Sequence, residues 1–260
     1  MIEIRNCAGF DELDACVQLE IETWGYDAHE TVPRKEFLLM QKIGGQVIGA
    51  FDSGEGGAQR LIGFAMAMAG VKSGPGDNPR AYLHSHMLAV RPEYRNNGVG
   101  AGLKREQRRE ALARGLTLME WTFDPLEIKN AYLNLCKLGA TVRRYQENFY
   151  GNSSSLLQGG LPTDRLVAEW QMDAPRVEAA LAGKPSARFA VEERIHVPAA
   201  IYEWKATGNG RERARALQLN NRQQFQQAFA RGLAVLGFAR DAEGNGTFEL
   251  GLPPHGVAES

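Results

Sequence analysis

The sequence predicts an α/β fold over residues 1–151 and an α+β extension over residues 152–260. Three observations carry this. Apolar residues recur every three or four positions in some segments and at alternate positions in others. The two patterns interleave in the order β-α-α-β-β-β-α-β-α-β up to about residue 150. There a polar, glycine-containing run begins, with Asn152, Ser153, Ser154, Ser155, Gly159 and Gly160. A chain of 260 residues with 43% apolar content is long enough to bury a sizeable core.

Residues 2–5 alternate as a short strand. Phe10, Leu13, Val17, Ile21 and Trp24 then mark one face of a helix. Asp11 and Glu12 favour its N-terminal dipole, and Gly25 ends it. Pro33 suits the first turn of a second helix carrying Phe37, Met40 and Ile43, closed by Gly44 and Gly45. Residues 46–51 and 60–71 read as strands joined by a hairpin turn at 52–57, and 73–79 as a loop. A strand over 81–90 leads through a polar turn into a helix over 99–114, capped by Gly115. A strand at 116–123, a helix at 128–138 stopped by Gly139 and a strand at 140–150 complete the first part. Beyond the loop at 151–162, strands are expected at 166–172 and 195–204. A helix is expected at 211–236, marked by Leu217, Phe225, Phe229, Leu233 and Leu236, then a short strand at 248–250 and a loose tail from Pro253.

The formal net charge is −1 and charged residues make up 23%, so no global field points to nucleic acid or to a membrane surface. Arg211, Arg213, Arg215 and Arg222 are interspersed with acidic residues and glutamines and lack an aromatic stacking pattern. Cys7, Cys16 and Cys136 form no CxxC pair, and we read them as reduced thiols packed as small apolar groups; no metal is expected. No basic stretch followed by a long apolar run opens the chain, and the longest apolar stretch is too short to span a bilayer. A cytoplasmic protein without a membrane partner is expected.

The chemistry sits in Leu88, Ala89, Val90, Arg91, Pro92, Glu93 and Tyr94, followed by Arg95, Asn96, Asn97, Gly98, Val99 and Gly100. A strand runs into a glycine-containing turn at which a helix starts. The first N–H groups of a helix lack internal partners and form an anion site. Gly98 and Gly100 remove side chains that would hold a diphosphate off the backbone, and Arg95 can add a planar cation. The turn has neither the P-loop lysine nor GxGxxG spacing, and it follows the fourth strand rather than the first.

Arg95 to Gly100 resembles the [RQ]-x-x-G-x-[GA] signature of the GNAT superfamily of N-acetyltransferases, and the element order to about residue 150 fits that fold. The resemblance implies a mixed, mostly antiparallel central sheet flanked by helices. It implies that the backbone of Asn96, Asn97, Gly98, Val99, Gly100 and Ala101 cradles the pyrophosphate of acetyl-CoA or another acyl-CoA. The main chain of Leu88, Ala89 and Val90 would run beside the pantetheine arm, the thioester lying between the strands at 81–90 and 116–123. Lys104, Arg105, Arg108 and Arg109 make the following helix basic, which would favour the 3′-phosphate. Asn130 is a further candidate contact to the coenzyme.

Acyl transfer to an amine needs a proton acceptor at neutral pH. His84 and His86 lie two apart on the strand that enters the loop, so alternation puts both on one face with Leu88. The resemblance places a general base on this strand. Glu120 and Asp124, around the next strand, are alternative bases, and Asp124 before a proline is also a turn former. The family's usual acid, a tyrosine four residues before the glycine that ends the next helix, is replaced here by Leu135. Trp24 and Tyr150 are candidates for the acceptor wall, although Trp24 also belongs to an apolar stripe. The expected function is acylation of a primary amine of a small molecule, with an acetyl or longer acyl group, in a ternary complex. The alternative is a non-catalytic coenzyme A-binding or ligand-sensing module, and a homodimer is compatible with either.

Overall fold

A computed structural model describes all residues except 27–28, 55–58, 75, 77, 152–157, 186–187 and 254–260. The turn expected at 52–57, the loops at 73–79 and 151–162 and the tail from Pro253 fall partly or largely outside the described residues. The chain divides into two compact units, Met1–Met119 and Glu120–Ser260.

In the first unit, β1 (Ile2–Asn6), β2 (Gln46–Ser53), β3 (Gln59–Ser73) and β4 (Pro79–Val90) pair antiparallel in that order. Helices α1 (Gly9–Trp24) and α2 (Arg34–Lys42) cover one face, where Leu13, Cys16, Leu19 and Phe37 pack with Phe64, Met66, Met87 and Ala89. Helix α3 (Val99–Ala113) covers the other, packing Val99 and Leu103 on Ile48, Ile62, Val90 and Leu88. The buried side of α1 is Leu13, Cys16, Leu19 and Glu20, whereas Phe10 and Ile21 of the expected stripe are exposed. The helix is rotated from the expected face because Cys16 and Leu19 supply a better apolar match to the sheet. Cys7 and Cys16 are free thiols, their sulfurs 3.8 Å apart in this core.

The second unit contains β5 (Leu118–Phe123, its first two residues belonging to the first unit), β6 (Thr141–Gln146), β7 (Arg165–Gln171), β8 (Glu193–Val197), β9 (Ala234–Arg240) and β10 (Gly246–Gly251). Their order is β5-β7-β6-β9-β10-β8, and the pairs β6–β7, β6–β9, β9–β10 and β10–β8 are antiparallel. Helices α4 (Ile128–Tyr132), α5 (Pro175–Leu181), α6 (Ile201–Ala206) and α7 (Arg211–Ala230) flank them. Phe225 stacks edge-on against Phe248, and the buried Trp170 indole donates to the Leu138 carbonyl at 2.6 Å.

Three expectations are corrected here. Residues 195–204 are half strand and half helix, because Pro198 ends β8 and leads into α6. The helix expected to reach residue 236 stops at Ala230, where Gly232 at φ 80° allows its N–H to bond Phe229 and the chain to re-enter the sheet as β9. The helix expected at 128–138 changes to a π-helical turn at Leu133–Lys137, with Leu138 N–H bonding the Leu133 carbonyl.

Candidate functional site

The junction of β4 and α3 is built as the sequence implies. Gly98 is the N-cap of α3 at φ 80°, and no side chain caps the helix. The first helical bond runs from Gly102 N–H to the Gly98 carbonyl, so the N–H groups of Val99, Gly100 and Ala101 have no partner within the helix. Asn96 also lies at positive φ, 65°. A Cβ at Gly98 would have no protein atom within 4 Å, whereas one at Gly100 would make ordinary contact with Leu88 and Val90, which corrects the expectation that Gly100 is needed to let a diphosphate approach. The loop therefore offers a row of backbone donors with open space in front, which suits a diphosphate. Arg95 is exposed, and its Nε donates to the Val90 carbonyl at 2.9 Å. Its first task is thus to tie the turn to the end of β4.

The two glycines have opposite consequences. Gly98→Ala will cost about 1–2 kcal/mol, because an L-residue is strained at that φ, and will weaken coenzyme A binding. Gly100→Ala carries no such strain and will raise stability by up to about 1 kcal/mol through helix propensity, leaving binding nearly unchanged. Thermal melts and calorimetric titration with coenzyme A check both signs.

Strand β4 carries a bulge. Met66 is opposite Met87 and Ala67 opposite Ser85, leaving His86 as the extra residue. Ser85 hydrogen-bonds α3, so His84 and His86 on either side of it face α1 and α2, and their rings are 6.2 Å apart. The expectation that Leu88 shares their face is corrected, because the bulge shifts the alternation and sends Leu88 to the α3 side. Ala89 packs in the α1–α2 core. Arg91 N–H bonds Ile62 of β3, so by alternation the main-chain groups of Val90 and Leu88 point away from β3. Burial lowers the His86 pKa, favouring the neutral imidazole that can accept a proton. Trp24 closes α1 half-buried, stacked on Tyr26 with ring centroids 5.7 Å apart.

Residues 13–132 match the model of the acetyltransferase (GNAT) family. Over this stretch the chain is similar to the GNAT superfamily. Its fold resembles Arabidopsis thaliana NAA60 in complex with acetyl-CoA, at TM-score 0.51 and 15% identity, over 66% of this chain and 99% of that one. It also resembles the same enzyme in complex with a bisubstrate analogue, at TM-score 0.50 and 14% identity, over 65% and 98% of the two chains. The NatC complex bound to Gag peptide and CoA gives TM-score 0.50 and 15% identity, again over 65% and 98%. At these identities the likeness is one of fold. No curated protein matches in sequence.

The GNAT frame leaves several side chains to be placed. Buried Glu120 accepts from Arg144 at 2.7 Å, and Arg144 also reaches Glu169 at 3.2 Å. Asp124 uses one oxygen to accept from Leu126 N–H at 2.8 Å and the other from Lys205 at 3.0 Å. Both carboxylates are thus engaged in ion pairs, and Asp124 also forms its turn. Asn130 is exposed on α4. Leu135 is buried, with 1% exposure. Tyr150 shares a 2.9 Å hydrogen bond with Thr122, lies under Arg165 and is 42% exposed.

Two polar groups escaped the sequence reading. Lys104, expected on the basic outer face of α3, is instead buried and donates to Ser85 at 2.7 Å. Ser85 donates in turn to Gln107 at 3.1 Å, while Gln46 donates to the Gln107 carbonyl at 2.9 Å. Desolvation lowers the Lys104 pKa to about 7. Its spacing, three residues before Gln107 and seven before Ala111, puts it on the buried stripe and was the available signal. The second group is Glu20, fully buried on α1, which accepts from Val32 N–H at 2.9 Å and is raised to a pKa of about 7 by burial. Among the described residues there is no group of three or more His, Cys, Asp or Glu placed to hold a metal, and no helix long and apolar enough to cross a membrane.

Proposed function

We propose that this protein transfers an acyl group, acetyl or longer, from acyl-CoA to a primary amine of a small molecule such as an amino acid. The observation that carries the reading is the uncapped N-terminus of α3, opened by Gly98 directly beyond the end of β4. The backbone donors of residues 99–101 hold the diphosphate, and the arm runs along Leu88 and Val90 on the side away from β3. His86 accepts the proton as the amine attacks the thioester carbonyl, with His84 beside it. Trp24 and Tyr150 are proposed to border the acceptor. In this reading residues 1–151 form the catalytic core and 152–260 an extension that restricts the acceptor to a small molecule, working in the cytoplasm.

The test is release of free thiol from a panel of acyl-CoAs, with amino acids and other small amines as acceptors. Acceptor-dependent release with a new amide in the product supports the proposal. Tight coenzyme A binding without turnover for any pair replaces it with the second reading, a coenzyme A-binding or sensing module. Leu135, buried where the family places its acid, is what keeps that second reading in view.

A further inference from the structure

If the leaving thiolate cannot be protonated from position 135, another acid is needed or solvent must serve. Tyr132 lies against Lys137 and Arg240, and the Cys136 thiol donates to the Phe238 carbonyl at 3.0 Å. The burial of Lys104 is different in kind. Its ammonium is held at 2.7 Å from Ser85 Oγ, on the α3 face of β4 and beside the bulge. Ser85 lies five residues before Val90 on the strand, roughly 17 Å at about 3.3 Å per residue. That is about the length of an extended pantetheine arm. An arm that starts at the diphosphate loop and follows β4 therefore ends at the level of Ser85 and Lys104.

We infer that Lys104 is the acid that protonates the sulfur of coenzyme A as the thioester is broken. The inference rests on the acyl-transfer reading above. As the tetrahedral adduct collapses, the C–S bond breaks and its electron pair goes to sulfur. One Nζ–H proton of Lys104 passes to that sulfur, giving the free thiol and a neutral lysine amine. The proton taken from the attacking amine stays on His86, and water returns the balance by deprotonating His86 and reprotonating Lys104. Ser85 and Gln107 fix the direction of the ammonium, since the serine accepts from Lys104 and donates to Gln107.

The strength of the acid matches this role. An ordinary lysine, near ~10.4, is a weaker acid than a thiol near ~8.5 and would give up its proton uphill. Burial brings Lys104 to about 7, so transfer to the thiolate runs downhill. A structural lysine in the same place would need only its charge and its hydrogen bond.

The experiment reads Lys104 both with and without turnover. The Lys104 side-chain NMR signal, followed against pH with free coenzyme A bound, gives the ionisation of the lysine without turnover. In the wild type Lys104 is expected to titrate near 7 and the kcat profile to fall as pH rises through that value, and in Lys104→Met this limb disappears at unchanged coenzyme A affinity. Turnover of Lys104→Met and of Lys104→Arg should both fall by about 10²-fold or more, because arginine keeps the charge but cannot give up its proton. Arginine restoring full turnover would overturn the inference in favour of a charge-only role. A Lys104 that titrates as an ordinary lysine, or a wild-type kcat that is not lost above about pH 7, would overturn it too. A Lys104 signal that shifts on adding free coenzyme A but not desulfo-coenzyme A, with no acyl transfer, would keep Lys104 beside the sulfur and discard the acyl-transfer reading instead.

Discussion

His86→Gln will lower acceptor-dependent thiol release by about 10²- to 10⁴-fold, the usual worth of a general base, with coenzyme A affinity changed less than about twofold. The size of the effect follows from position. His86 is the extra residue of the β4 bulge, and its ring is turned to the face opposite α3, which carries the diphosphate loop. Removing it touches none of the groups proposed to bind the diphosphate. Burial lowers its pKa below the ordinary imidazole value, so the neutral form persists at neutral pH. The sign of the pH dependence follows. Activity should be retained as pH falls through about 6.5, the unperturbed value, and be lost only at more acid pH as the ring becomes protonated. A kcat/KM profile of the wild type measures that limb, and the variant should lack it. His84→Gln is the companion: a ring 6.2 Å away that serves only to orient its neighbour will give a smaller loss. Unchanged turnover in His86→Gln, with the fold intact, would move the base elsewhere.

What the sequence discloses about this site depends on how local each feature is. The proposed diphosphate loop is legible because Gly98 and the helix that follows define it within a few residues, and its φ of 80° is one that glycine adopts without strain. The sharing of a face by His84 and His86 is legible from alternation. The loss of Leu88 from that face is not, because a bulge is decided by how β3 and β4 register against each other, and no single residue announces it. Lys104 was hidden by its neighbours. Arg105 and Arg109 make the segment read as a solvated basic face, yet Lys104 sits on the stripe that meets the sheet, where its stem packs and its nitrogen finds Ser85. Further along, Leu233 and Leu236 continue the helical spacing of α7 across Gly232, so only the φ of 80° there separates helix from strand. The rotation of α1 has a similar cause: Phe10 and Ile21 keep helical spacing as well as Cys16 and Leu19 do, and only the facing sheet chooses between them.

Asp164→Ala will destabilise the protein by about 3–5 kcal/mol, the usual cost of stripping one partner from a buried ion pair. Asp164 is fully buried in the second unit. It accepts a two-pronged bond from Arg222, with Nε and Nη2 each at 2.9 Å, a 2.6 Å bond from the Tyr145 hydroxyl and a 3.0 Å bond from Asn148 N–H. Alanine would leave all of these donors without their acceptor, and Arg222 would keep only Glu147 as a carboxylate partner, at 2.8 Å. The melting temperature should fall by roughly 10 °C or more, at about 2–4 °C per kcal/mol for a chain of this size. Asp164→Asn keeps the shape and two acceptor lone pairs but loses the charge, so its loss should be smaller. The pair Asp164→Leu with Arg222→Met, which removes the charge on both sides, should recover much of the deficit. The consequence reaches the proposed acceptor wall through the backbone. Asn148 is held by Asp164, and the neighbouring Thr163 accepts from Tyr150 N–H at 2.9 Å and donates to the Gly151 carbonyl at 3.0 Å. Loosening this staple frees Tyr150 from its place beside Thr122. Asp164→Asn should therefore raise the acceptor KM more than it lowers kcat, and leave coenzyme A affinity, proposed to rest on the start of α3, unaffected. A loss of coenzyme A affinity equal to the rise in acceptor KM would show instead that the variant fails by general unfolding.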